Sequence, residues 1–437
     1  MLTSLGAIGG GARYDLVVAG SGAAGMAAAL FAAIEGKKVL LVERSDFLGG
    51  TSALSAATTW VPNTHHAKIF DDGDSPEKAA RFLDNVVGNH ASRELRQAFL
   101  ASGPEAIGKL EANSEVKFRP YARHPDYVQE AEGATVRGRA LEPLPFDGRA
   151  LGAALAKVRP PIPEFTIFGG MMVDRTDINH LLGLTRSGAS FRHAAEILAR
   201  YGLDRVHGPR GTRLVMGNAL IGRMLASLLK RDVDIVTETA VKELVRGPGG
   251  ITGVQLESHG TARHIATALG VVSAAGGFGR NAARRAEMFP KPTPELSPAA
   301  PGHTGEMQAL ALALGARFGE GGKDNAFWAP VSTRRRPDGS TAVFPHFVLD
   351  RGKPGTVCVN QLGQRFVNES VSYHEFAQAM MAANATAPAI PTFLITDAVA
   401  LRSTVSAWCG PARAGWRLTR PMGILSRRAA STRWRRS

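Results

Sequence analysis

Apolar and polar positions along the chain fall into a few distinct patterns. Tyr14–Ala19 is a short, mostly apolar run of the kind a buried strand carries. Gly20, Gly22 and Gly25 interrupt it, and from Ala23 to Glu35 the composition turns to good helix formers until Gly36 ends the stretch. Lys38–Val42 is apolar again and closes on Glu43. The pattern predicts strand, tight turn, helix, strand. Within it, residues 16–34 form an uncharged run of 19 residues, nominally long enough to cross a bilayer. Glycine and serine at turn spacing make it a buried strand–helix unit instead, so no transmembrane segment is expected.

Further along, 71–113 has helical periodicity, with Pro76 and Pro104 placed for first turns. The stretch 115–175 is proline-rich and irregular and reads as part of an insertion spanning about 115–210. A helix is predicted over 211–231, then strands, with two of them joined in a hairpin through His259-Gly260. An apolar strand over 268–281 breaks into glycines, and a helix capped near Thr304 follows a Pro-rich linker. From about 318 short strands and loops take over, and no internal repeat is present.

Composition changes this picture little until charge is located. The chain has 437 residues, 44% hydrophobic and 21% charged, as an ordinary globular protein has. Its net charge of +14 suggests acidic partners, yet after Asp397 there are nine Arg and no Asp, Glu or Lys. The first 397 residues carry 43 basic and 38 acidic groups. The basic character therefore belongs to the end, "SRRAASTRWRRS", and the body gives no sign of nucleic-acid binding. Cys358 and Cys409 offer neither a metal spacing nor a disulfide framework and fit a reducing, cytoplasmic location. No metal is expected; His65, His66, His303 and His374 read as packing or surface residues.

The glycine spacing between the first strand and helix carries chemistry. Gly20 permits the sharp turn, Gly22 lets backbone approach a pyrophosphate on the helix N-terminus at Ala23 and Ala24, and Gly25 lets helix and strand pack closely. Glu43, followed by Arg44, can accept hydrogen bonds from a ribose. Next come Gly49-Gly50-Thr51-Ser52 and Ser55, a glycine pair with hydroxyls. With this turn the sequence resembles the fumarate reductase/succinate dehydrogenase flavoprotein superfamily. The resemblance implies FAD, with Gly50, Thr51, Ser52 and Ser55 along the pyrophosphate and flavin. It also implies a backbone contact to the adenosine near Val241, and a second cofactor motif at Ala275, Gly276 and Gly277. The fold class implied is α/β: a Rossmann-type FAD-binding domain, 13–287, with an inserted α+β substrate-capping domain, 288–402.

The stretch "KPGTVCVNQLGQRFVNESVSYHEFAQAM" (353–380) is similar to the superfamily hairpin that carries the acid/base residue. It predicts a strand at Val357–Val359, a turn at Gln361–Gly363 and a returning strand at Arg365–Val367. Counting from Asn368-Glu369, Tyr373 stands where fumarate reductases have arginine. Arginine is permanently charged and suits a dianion, whereas tyrosine is neutral near pH 7 and suits a proton beside a carbonyl. This resembles the 3-ketosteroid dehydrogenase branch. It implies removal of a proton and a hydride from adjacent carbons beside a ketone, the hydride going to flavin N5 and the proton to Tyr373. "HPDYVQE" and "LEPLPFDGRALG" match the branch's insertion and make Tyr127 a supporting hydroxyl. Asp350-Arg351 reads as a surface pair.

The expected activity is therefore an FAD-dependent desaturation of a 3-oxosteroid-like small molecule, with an external electron acceptor. Two alternatives stand beside it: a fumarate-reductase-like or other FAD-dependent reductase, and nucleic-acid binding through the basic end. The resemblance runs to about residue 402. The superfamily's glycine-rich return to the flavin is not legible in 403–437, so that stretch reads as an aberrant, out-of-frame ending. On that expectation the chain would hold FAD weakly and turn over little.

Overall fold

The computed structural model describes residues 1–70, 73–319, 324–397 and 400. The reading of 403–437 lies outside the described residues. Two compact units form, one from Met1–Glu287 with Ala299–Lys323, the other from Met288–Pro298 with the described residues from Asp324 onward.

In the first unit the apolar runs become a seven-stranded sheet. Its order is Leu2–Thr3, Asp234–Val236, Val39–Val42, Arg13–Ala19, Thr261–Ser273, Gly250–Ser258, Ala240–Gly247. The first five are joined by parallel pairing and the last three form an antiparallel meander. Val39–Val42 is buried at every position, as expected of a parallel strand covered on both faces. The uncharged run is accounted for here: it is the end of the Arg13–Ala19 strand, a turn and the helix Ala23–Ile34. No described helix is long and apolar enough to cross a membrane.

Helix Met216–Leu229 is apolar on nearly every side and almost wholly buried. Ile221, Leu225 and Leu228 share one core with Met26, Leu30, Leu41 and Ile235. The His259-Gly260 hairpin is present, and both residues have positive φ (46° and 77°), as a type I′ turn requires. Helix Pro76–Val87 starts with its proline in the first turn, as predicted, and Ser75 caps it.

Three local expectations are corrected. Pro104 lies inside the helix Arg93–Asn113 and not in a first turn. The helix runs on through it, and Gly103 beside it gives the space for Val61, whose Cγ1 would lie 2.8 Å from any Cβ there. The helix after the Pro-rich linker is Glu306–Ala313, and its cap is Gly305 at φ 82°, without a side-chain cap from Thr304. Within 115–210 the chain is not irregular throughout, because Arg175–Leu182 and Gly188–His207 are helices.

Residues 299–313 belong with the first unit through specific bonds. Ala300 N–H donates to Thr51 Oγ1 at 3.1 Å. The Arg44 guanidinium donates to Gly302 O at 3.1 Å and Thr304 Oγ1 at 3.0 Å, and pairs with Glu306.

The second unit contains two antiparallel pairs, Val331–Arg335 with Thr341–Pro345 and Thr356–Val359 with Phe393–Thr396, and the helix Tyr373–Asn384. The predicted return strand at Arg365–Val367 is absent. A single bridge, Val359 to Arg365, is all that remains of it. On that edge the Glu369 carboxylate accepts the Cys358 N–H at 2.9 Å, while Phe393–Thr396 pairs with the other edge of Thr356–Val359.

Candidate functional site

In the first unit the site grows out of the turn between Arg13–Ala19 and Ala23–Ile34. Gly20 has φ 105°, and a Cβ there would lie 2.4 Å from Ala274 O. A Cβ on Gly25 would lie 1.8 Å from Gly20 O. Neither position admits a side chain without moving backbone, so the glycines are required by contact as well as by conformation. Gly22 is the N-cap and offers no side chain; in its place the Ser52 hydroxyl accepts the Ala23 N–H at 3.0 Å. The N–H groups of Ala24 and Gly25 have no intrahelical acceptor, as in any first turn, and with the helix dipole they suit an anionic group.

Gly49 and Gly50 both have positive φ, and Gly49 N–H donates to Ser21 Oγ at 3.0 Å. This brings Thr51, Ser52 and Ser55 beside the glycine turn. The Ser55 hydroxyl donates to Ser52 O at 2.8 Å. Across the sheet Ala274 N–H donates to Ala19 O at 2.8 Å, which sets Ala275, Gly276 and Gly277 beside Gly20. Gly277 N–H donates to His303 Nε2 at 2.8 Å, and a Cβ on Gly276 would overlap that imidazole at 2.4 Å. His303, which reads as a packing residue in sequence, thus holds the second glycine motif in place. Burial, aided by Arg280, lowers its pKa and favours the neutral ring that accepts this bond.

Glu43 and Arg44 are already engaged by protein. Glu43 Oε2 accepts from Ser21 N–H (3.0 Å) and Ser21 Oγ (2.6 Å), and Oε1 from Ser45 N–H (2.9 Å) and Ser45 Oγ (2.8 Å). Those four bonds use the usual acceptor capacity of a carboxylate. In this structure Glu43 ties the glycine turn to the strand end, and Arg44 ties down the 302–306 loop. Val241 lies two residues beyond Thr239, whose N–H donates to Glu43 O at 3.0 Å, and a register shift between Val241 and Glu243 interrupts the ladder of its strand. A glycine cradle that excludes side chains, with helix N–H groups and hydroxyls beside it, fits the pyrophosphate of FAD.

Tyr127 also belongs to the first unit, in a loop, and is 38% exposed. Its neighbour Asp126 is buried and accepts from Trp60 Nε1 (2.7 Å), Thr135 N–H (3.0 Å) and Arg139 Nη1 (2.8 Å). Arg139 is buried as well and pairs with Asp74 at 2.6 Å. An internal ion triad of this kind fixes the loop's path, and loss of one member leaves a buried charge uncompensated.

Tyr373, in the second unit, opens the helix Tyr373–Asn384. Ser372 and Glu375 form a reciprocal capping box around it, with Ser372 Oγ accepting the Glu375 N–H at 3.2 Å. The phenol ring is half-buried between the edges of Phe327 and Phe347, at centroid distances of 5.6 and 5.4 Å. His374 stacks on Phe327 at 4.5 Å, and its Nδ1 accepts the Trp328 N–H at 3.0 Å. Burial lowers its pKa, and that nitrogen is committed to Trp328. The loop delivering Tyr373 is clamped by two arginines. Arg365 pairs with Glu369 at 2.7 Å, while Arg351 donates to Glu369 O (2.9 Å) and Val371 O (3.1 Å). Arg351 is only 2% exposed, so the Asp350-Arg351 stretch is not a surface pair. Sequence reasoning missed this clamp because an arginine donating to carbonyls leaves no charge pattern.

The chain matches the FAD binding domain family over residues 15–428. It is 36% identical over 85% of its length to 4-oxocyclohex-2-ene-1-carboxylate 5-dehydrogenase of Sinomonas cyclohexanicum, covering 63% of that protein. It is 32% identical over 84% of its length to 3-oxosteroid 1-dehydrogenase of Mycobacterium tuberculosis, covering 64% of it. The chain thus spans less than two thirds of the length of these curated relatives. Among solved structures, it is similar to 3-ketosteroid delta1-dehydrogenase from Sterolibacterium denitrificans in complex with 1,4-androstadiene-3,17-dione. The TM-score is 0.80 and the identity 31%, over 92% of this chain and 73% of that one.

Proposed function

Because the chain belongs to the FAD binding domain family, we propose that it is an FAD-dependent dehydrogenase that introduces a carbon–carbon double bond beside the ketone of a ring substrate. The observation that supports this reading is Tyr373, a hydroxyl at the head of a capped helix, which the count from Asn368-Glu369 sets at the place of a dicarboxylate enzyme's permanent cation. Relatives named for 3-oxosteroids and for oxocyclohexene carboxylates support a cyclic ketone as the substrate class.

Gly20, Gly22, Ala23, Ala24 and Gly25 would hold the pyrophosphate, Thr51, Ser52 and Ser55 would line its course, and Ala275, Gly276 and Gly277 would close the second side. Bound FAD would supply the hydride acceptor. Tyr373 takes the proton from the carbon next to the carbonyl. Phe327 and Phe347 hold the ring edge-on and keep its flanks apolar. Tyr127 is the supporting hydroxyl, on a loop braced by Asp126 and Arg139.

The test is anaerobic flavin reduction in FAD-loaded protein. A 3-oxosteroid or 4-oxocyclohex-2-ene-1-carboxylate should bleach the flavin absorbance, and fumarate should not reoxidise dithionite-reduced protein. Reoxidation by fumarate with no bleaching by either ketone would overturn the proposal in favour of a fumarate-type reductase.

A further inference from the structure

Away from the flavin cradle, one short turn carries a group of donors that neither FAD nor a ring ketone requires. His65 and His66 open the 3₁₀ turn His65–Ile69, and both reach Glu111 on the helix Arg93–Asn113. His65 Nε2 lies 3.0 Å and His66 Nε2 2.9 Å from the same oxygen, Glu111 Oε2. All three donor atoms lie within 4.8 Å of one another.

We propose that His65, His66 and Glu111 form a peripheral zinc site. Zinc takes imidazole and carboxylate ligands at about 2.0–2.2 Å, and tetrahedral angles then put neighbouring donor atoms about 3.3 Å apart. The two nitrogens are a few tenths of an ångström inside that spacing and converge on one carboxylate oxygen. Glu111 is held for monodentate ligation, because its other oxygen, Oε1, accepts the Phe118 N–H at 2.8 Å. A ligand carboxylate anchored by a backbone donor is the outer-shell arrangement that metal sites use. The two imidazole rings pack against each other with centroids 4.0 Å apart, so both are presented to Glu111 from the same side. Lys117 is the nearby cation, and its ammonium is directed to the Glu111 carbonyl.

His66 and Glu111 are largely buried, with 14% and 12% of their side-chain surface exposed, while His65 is 53% exposed. The fourth position therefore falls to water on the solvent side. A metal here would staple the 65–69 turn to the helix and, through Phe118, to the strand Phe118–Pro120. Its role is stabilisation of the first unit.

FAD-loaded protein dialysed against EDTA is titrated with ZnCl₂ by calorimetry, with MgCl₂ as control. One Zn²⁺ per chain is expected in the tight class, with a higher melting temperature and no response to Mg²⁺. His65→Ala, which removes a half-exposed side chain, and Glu111→Gln, which keeps an acceptor for Phe118, should each weaken binding by at least about tenfold and remove the thermal shift. Absence of a saturable tight site in the parent protein would overturn the proposal. So would retention of full affinity in His65→Ala, the variant that leaves the core untouched.

Discussion

Gly25 has less room for a side chain than any other glycine in the flavin cradle. An added Cβ would sit 1.8 Å from Gly20 O, a contact relieved only by moving the helix away from the strand. Gly25→Ala should therefore lower FAD affinity by at least about a hundredfold while the rest of the first unit still folds, since roughly 3 kcal/mol of lost contact corresponds to that factor. The flavin-to-protein absorbance ratio after gel filtration, with circular dichroism as the folding control, measures it. Tyr373 separates binding from chemistry in the opposite way. Tyr373→Phe keeps the ring between Phe327 and Phe347 and removes only the hydroxyl, so the flavin spectrum should be unchanged. Ketone-dependent bleaching should slow by about 10²–10⁴-fold, the range for loss of a positioned acid–base group. An unaffected rate in single-turnover mixing would remove Tyr373 from the mechanism. The sequence singles out both residues, one from glycine spacing and one from the Asn368-Glu369 frame. The engagement of Glu43 by Ser21 and Ser45 is not legible there, because a strand-end acid reads the same whether it serves a ribose or its own turn.

At the scale of elements, the hairpin Val331–Arg335/Thr341–Pro345 is locked at its end by His346. The imidazole Nε2 lies 2.6 Å from Ser332 Oγ, and His346 N–H donates to Pro330 O at 2.9 Å. Burial, with Arg351 and Lys353 adding repulsion, depresses the His346 pKa from 6.5 to about 4. A histidine that is harder to protonate folded than unfolded leaves the unfolded state binding more protons between those two values. Stability is then fully present above pH 6.5 and is lost as pH falls towards 4. The linkage is worth about 3 kcal/mol at most. Asp350, whose pKa burial raises, works against it at the acid end. Protection factors of amides in 331–345, the intrinsic rate at each pH divided by the observed one, should fall between neutral pH and pH 5, and His346→Gln should flatten that response. The same scale shows where pattern reading failed. Helix Gly188–His207 buries Ser190, Ala194 and Ile197 while Phe191, Leu198, Leu203 and Val206 are exposed, so its apolar positions do not mark one inward stripe. The return strand at Arg365–Val367 failed for another reason: a carboxylate four residues along, Glu369, took the Cys358 N–H that a ladder would have used. Strand–turn–helix at the start was legible because glycine contacts, strand burial and helix composition agree there.

Across the whole chain, the proposed flavin cradle is assembled from three separated stretches, 20–25, 49–55 and 275–277. They meet because the strand Arg13–Ala19 pairs in parallel with Val39–Val42 on one side and with Thr261–Ser273 on the other. More than two hundred residues of sequence thus separate motifs that adjoin in the sheet, and the order of the motifs made that discontinuity legible before the helices between them were. The consequence is energetic as well as geometric. A ligand that binds only when all three stretches are in place stabilises them together, by about 2.7 kcal/mol when its concentration is a hundred times its dissociation constant. Adding FAD to apoprotein at such an excess should slow amide exchange in all three stretches by similar factors, up to about a hundredfold where opening breaks the site. The Phe118–Pro120 strand, which contributes nothing to the cradle, should change far less. Protection confined to 20–25 would mean that the phosphate turn binds alone and that the 275–277 glycines serve only the packing of His303. Equal protection of the three would make the parallel pairing around Arg13–Ala19 the element on which cofactor affinity depends. Substitutions that weaken that pairing, far from any cofactor atom, would then loosen FAD as effectively as those in the glycine turn.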